Sequence, residues 1–193
     1  MPLYLALGDS ISIDDYTGVA RGGAPSQLAR KASLDLIDLT RDGNTTEGVL
    51  ADLAQAPGGA DVVTLTAGGN DLLIGQPPDA ILRNLEEIAA RIKPLDARIV
   101  FNTVYDPSDG DDALGRELGL SQLETVELRR RLTTLNTGIA ELAKECGFLL
   151  ADLKALFHGH GITSTEPWFV QVIEPNLAGA TALAEHWHEL LTS

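Results

Sequence analysis

Apolar residues along this chain follow two rhythms. Short, nearly continuous runs at 3–7, 34–39, 62–67, 99–104 and 148–153 alternate with longer stretches in which apolar positions recur every three or four residues. The runs at 62–67 and 99–104 are rich in Val, Ile or Thr, the composition of strands buried on both faces. The longer stretches predict helices. Residues 24–33 follow Gly22-Gly23, and residues 45–55 put Leu50, Leu53 and Ala54 on one side. Residues 77–92 open with Pro77, Pro78 and Asp79, which suit a helix N-terminus, and align Ile81, Leu82, Leu85, Ile88 and Ala89. Residues 120–146 predict one long helix or two. Residues 176–191 place Asn176 as a cap ahead of Leu177, Ala180, Leu183, Ala184 and Trp187 at helical spacing. This alternation predicts one α/β domain over residues 1–193, a three-layer α/β/α arrangement around a parallel five-stranded sheet.

Composition sharpens that picture. Of 193 residues, 44% are apolar but only 5% aromatic, so the core is expected to be aliphatic. The formal charge of −14 repels nucleic acid and anionic membranes, and neither is expected as a partner. Cys146 is the single cysteine, expected to be a small buried residue near a helix end; it permits no internal disulfide. No basic segment leads into a long apolar run at the N-terminus, and no run approaches a membrane span, so the expected location is cytoplasmic.

In parallel sheets of this kind, ligands bind beyond the carboxyl ends of the strands. The segments there are G-D-S-I-S (8–12), T-R-D-G-N-T-T (40–46), A-G-G-N-D (67–71), Y-D-P-S-D-G (105–110) and F-H-G-H-G (157–161). Ser10 follows its strand directly, where it can expose a hydroxyl and offer its N–H to an oxyanion. Taken alone, Gly-Asp-Ser is a common tripeptide and reads better as a serine that caps a turn or helix. Gly43 lets its backbone N–H approach a ligand closely, and the Asn70 amide donates two hydrogen bonds. Each is ordinary turn chemistry by itself. Together they meet the requirement for holding a tetrahedral acyl-transfer intermediate.

G-D-S near the N-terminus, R-D-G-N-T-T-x-x-V-L at the second strand end and G-G-N-D at the third, in that order and spacing, resemble the first blocks of the SGNH (GDSL-type) hydrolases. The resemblance runs from about residue 3 to about residue 187. It implies a flavodoxin-like fold and a serine hydrolase of small-molecule esters or O-acyl groups, working without metal or cofactor. It makes Ser10 the nucleophile, with the Ser10 N–H, the Gly43 N–H and the Asn70 side chain as oxyanion donors. Asp9, Asp14, Asp71 and His158 become candidate substrate contacts, with Asp14 and Asp15 at the mouth.

The last block departs from the family. Where the pattern is D-x-x-H-P-N-x-x-G, this chain has Q-V-I-E-P-N-L-A-G (171–179), so Gln171 replaces the aspartate and Glu174 the histidine. Three readings follow. His160, on the glycine-flanked loop before this block, takes the proton of Ser10 while Glu174 orients its imidazole. Alternatively Glu174, raised by burial from about 4.3, is itself the base. In the third, the protein is an inactive relative that binds a ligand in the same pocket. His186 and His188 are expected on the surface of the last helix. Asp106, Asp109, Asp111 and Asp112 lack the closing bidentate Glu of a calcium loop and read as a surface loop.

Overall fold

The computed structural model describes residues 1–193. Its strands are β1 (Leu3–Gly8), β2 (Asp35–Thr40), β3 (Val62–Thr66), β4 (Arg98–Asn102) and β5 (Leu149–Ala151), all parallel in the order β2-β1-β3-β4-β5. Each matches one of the expected runs. The fifth ends early because Asp152 leaves the strand to cap a short helix, its carboxylate accepting from Ala155 N at 3.2 Å.

The long helices are α1 (Ala24–Ala32), α2 (Thr46–Leu53), α4 (Pro78–Ile92), α6 (Gln122–Cys146) and α8 (Leu177–Thr192). The stretch from 120 is therefore one helix, begun by a capping box between Ser121 and Glu124. Asn176 caps α8 as expected, its Oδ1 accepting from Ala178 N at 2.9 Å and Gly179 N at 3.1 Å. Between these lie short helices α3 (Gly69–Leu73), α5 (Ala113–Glu117) and α7 (Leu153–Leu156), and an antiparallel pair β6 (Phe169–Val170) and β7 (Glu174–Pro175). His186 and His188 are half-buried on α8 rather than exposed, and Cys146 is half-buried at the end of α6.

The strand period of two divides the core. Leu5, Leu7, Val63 and Leu65 pack with Ile81 and Leu85 on the face covered by α2, α4 and α6. Tyr4, Ala6, Val62 and Val100 pack with Leu28 and Trp187 on the face covered by α1 and α8. Polar groups lock the second face. Trp187 Nε1 donates to Asn102 Oδ1 at 2.8 Å, and Asn102 Nδ2 donates to Leu65 O at 2.8 Å.

At the carboxyl edge, Gly8 of β1 packs directly against Thr66 of β3. Gly8 has φ +139°, and a Cβ there would lie 2.0 Å from Thr66 O, so only glycine fits. Asp9 N then donates to Thr66 O at 3.0 Å. That bond turns the chain sharply and leaves Ser10 opening a 3-10 turn, Ser10–Ser12, above the middle of the sheet.

Replacing Trp187 with Phe keeps most of the apolar contact but strands Asn102 Oδ1 in the core. Urea unfolding is expected to show a loss of roughly 1–3 kcal/mol.

Candidate active site

The site grows from three strand ends. Ser10 is buried at the first turn after β1, at the amino end of a 3-10 turn whose first N–H groups have no partner within it. Gly43 lies at the tip of the turn Arg41–Asn44 after β2, exposed, with φ +66° and nothing near the position a Cβ would take. Its N–H has no acceptor within the chain. Asn70, in the first turn of α3 beyond β3, donates Nδ2 to Asn44 O at 2.9 Å, which leaves the second amide hydrogen for a ligand.

Glu174 comes from β7, buried beside Ser10. The Ser10 hydroxyl lies near enough to this carboxylate to lower its pKa. Such contacts commonly tighten only when substrate is bound. Burial dominates and raises the Glu174 pKa, the Ser10 hydroxyl lowers it, and the Asp42 carboxylate raises it further. Glu174 Oε2 is buried without a hydrogen-bond partner.

Two buried groups surround this pair. Asp9 caps the turn, accepting from Ile11 N at 3.3 Å. Burial pushes its carboxyl up to about 8; Ile11 and Thr66 oppose the rise, and Glu174 adds to it. Tyr105, after β4, stacks on Phe157 at 5.0 Å and donates its hydroxyl to Ile173 O, the carbonyl just before Glu174. Burial, then Asp9 and Glu174, hold its hydroxyl well above the usual range. The segment carrying Glu174 is also strained: Gln171 has φ +47° and Val172 φ +75°, the latter an outlier for a β-branched residue. The Tyr105 bond and the β6–β7 pairing brace this segment.

Beside Ser10 and Asn70 opens a mainly apolar cavity. Leu72, Leu73, Val104, Leu128, Leu132 and Ile173 contribute to its wall. Asn136 on α6 fixes that wall, bonding both N and O of Val104 at 2.7 Å.

Several expected contacts are not made. His160 does not meet Glu174: its ring stacks on Trp168 at 3.7 Å, and Nδ1 pairs with Glu166 O at 3.0 Å. His158 points to solvent and pairs with Asp109 Oδ1 at 2.6 Å. Asp14 does not line the mouth through its carboxylate, which accepts from Gly23 N at 2.7 Å and Ser26 Oγ at 3.2 Å to fix the start of α1. Asp71 is buried and accepts from Thr46 N and Thr46 Oγ1 at 3.0 and 2.7 Å, so it joins α3 to α2 instead of meeting substrate. Asp9 does reach the cavity wall. Sequence reading missed Asn44 and Tyr105, although both stand in the strand-end segments it singled out.

Residues 6–182 match the GDSL-like lipase/acylhydrolase family. The chain is similar to Lipase 1 of Streptomyces coelicolor, 25% identical over 210 aligned positions that span 88% of this chain and 76% of the relative. It superposes on a lipolytic protein of the G-D-S-L family from Veillonella parvula with a TM-score of 0.78 at 16% identity, covering 100% of this chain and 99% of that one. Phospholipase A1 from Streptomyces albidoflavus superposes with a TM-score of 0.68 at 20% identity, covering 99% and 98% of the two chains. At these identities the superpositions speak for a shared fold. No helix is long and apolar enough to cross a membrane.

Asp9 gives the site a pH signature. An unfolded aspartate loses its proton near about 3.9, whereas folded Asp9 keeps it to about 8. Across that window the folded state holds a proton the unfolded state has lost. Stability therefore falls as pH rises from about 4 and levels off above about 8. Asp9→Asn removes this penalty, and its melting temperature at pH 8 should exceed the parent's by at least about 5 °C. The gain should fade as the pH approaches 4, as followed by circular dichroism.

Proposed function

The chain belongs to the GDSL-like lipase/acylhydrolase family, and we propose that it hydrolyses esters or O-acyl groups with Ser10 as nucleophile and Glu174 as general base. The observation that carries this reading is that the Ser10 hydroxyl faces the Glu174 carboxylate while both loop histidines are held elsewhere.

An ordinary glutamate is a weak base for a serine hydroxyl, but a desolvated one is better matched to the task. The neighbouring Asp9 makes an ionised Glu174 tenable. With two carboxyl groups in one buried site, the first proton goes to the group that holds it more tightly, and Asp9 is the one pushed up to about 8.

Ser10 Oγ attacks the carbonyl carbon of the ester while its proton passes to Glu174. The carbonyl oxygen becomes an oxyanion beside the Ser10 N–H, the Gly43 N–H and the free amide hydrogen of Asn70. Collapse breaks the bond to the alcohol, which takes the proton from Glu174 and leaves an acyl-serine. Water then attacks the acyl carbon, giving its proton to Glu174, and the carboxylate returns the proton to Ser10 as the acid departs. The cavity walled by Leu72, Leu128 and Leu132 suits an apolar acyl group.

A fluorophosphonate probe should label the protein, and Ser10→Ala should not be labelled; absence of labelling and of aryl-ester turnover would sink the hydrolase reading. Glu174→Gln should lower kcat by roughly 10²- to 10⁴-fold, whereas His160→Ala should leave the rate unchanged. The kcat/KM profile should rise with pH through one ionisation above about 4.3. Restoring the family pattern with Gln171→Asp and Glu174→His should move that inflection to about 6.5. Aspartate suits the left-handed backbone at 171 better than most residues.

A further inference from the structure

Asn44 links the three segments that carry Ser10, Gly43 and Asn70. It follows Gly43 directly. Its side-chain Nδ2 donates to Gly8 O at 3.1 Å, two residues before Ser10. The same nitrogen donates to Asp52 Oδ2 at 3.0 Å. Its backbone carbonyl accepts from Asn70 Nδ2 at 2.9 Å and so sets the angle of that amide. Asn44 Oδ1 accepts from Thr45 N at 3.1 Å, and Arg41 Nη2 approaches it at 3.4 Å.

The support continues outward. Arg41 binds both oxygens of Asp52 at 2.8 Å, which fixes the carboxylate that holds Asn44. Gly48 leaves the space that Asn44 needs, since a Cβ at 48 would lie 1.9 Å from Asn44 Oδ1. Asn44 is itself buried, and its bond to Gly8 O is buried with it.

We propose that Asn44, held by Asp52, is a positioning residue that keeps the donors at Ser10, Gly43 and Asn70 converged on one oxygen. The proposal rests on the hydrolase reading of the same site. It acts on the transition state, because the oxyanion forms only there; ground-state binding in the apolar cavity does not depend on it.

Four variants test this on p-nitrophenyl acetate. Asn44→Ala should lower kcat by about 10- to 100-fold with KM nearly unchanged. Asp52→Asn should stay within about threefold of the parent, because its amide oxygen still accepts from Asn44. Asn44→Asp sets two carboxylates against each other and should lose at least as much as Asn44→Ala. Combining Asn44→Asp with Asp52→Asn restores the donor–acceptor pair between 44 and 52, though not the bond to Gly8 O, and should recover about threefold over Asn44→Asp alone. Full kcat in Asn44→Ala, a loss confined to KM, or no recovery in the double variant would overturn the positioning role. Amide spectra separate this from failure of the hydrolase reading. In ¹⁵N-labelled protein, Asn44→Ala should shift the Gly43 backbone and Asn70 side-chain resonances even if no ester is turned over. Unmoved resonances would overturn the brace on their own.

Discussion

The carboxyl edge of the sheet depends on the close approach of Gly8 to Thr66. A parallel strand carries its hydrogen bonds straight on unless something turns it. Here the missing side chain at Gly8 lets the first and third strands close to a separation that would put any Cβ 2.0 Å from Thr66 O. Asp9 N then bonds to Thr66 O, and the chain bends before the serine. The serine is therefore delivered to the middle of the sheet, flanked by the loops of β2 and β3. A single larger residue at position 8 would shift the nucleophile relative to both neighbouring donor loops.

The region divides into two mechanical parts. The loops after β1, β2 and β3 are cross-linked by short polar contacts, among them Asp71 to Thr46 and Asn70 to Asn44. Glu174 instead rides on a strained turn held by the Tyr105 hydroxyl and a two-residue strand pairing. One part is a rigid frame of amide donors, the other a separately suspended carboxylate. Such a division would let the group beside the serine vary while the frame stays fixed.

Much of this was legible in the amino-acid order. Strands rich in Val, Ile and Thr, and helices with several apolar positions on one face, declare themselves. The α3, α5 and α7 segments do not, because four or five residues complete barely one helical turn and show no period. Ser10, Gly43 and Asn70 could be singled out because each lies within four residues of a strand end. His160 misled because its partner, Trp168, lies eight residues on, in a segment with no recognisable pattern. Asp14 and Asp71 misled for a related reason: a carboxylate near a motif can be consumed by backbone N–H groups, and nothing in the linear sequence separates the two uses.

The carboxylate beside the serine also alters how charge moves. A neutral imidazole base turns cationic as the oxyanion forms, so opposite charges arise together and steady each other. In the proposed mechanism, with Glu174 as the base, the site begins with one negative charge and keeps one. Proton transfer extinguishes it on the carboxylate and re-creates it on the substrate oxygen nearby. Catalysis becomes the relocation of a single anion from the strained turn to the rigid frame, and no counter-cation arises to steady it. The whole stabilising burden then falls on neutral N–H dipoles, so the rate should respond to their geometry more than to ionic strength.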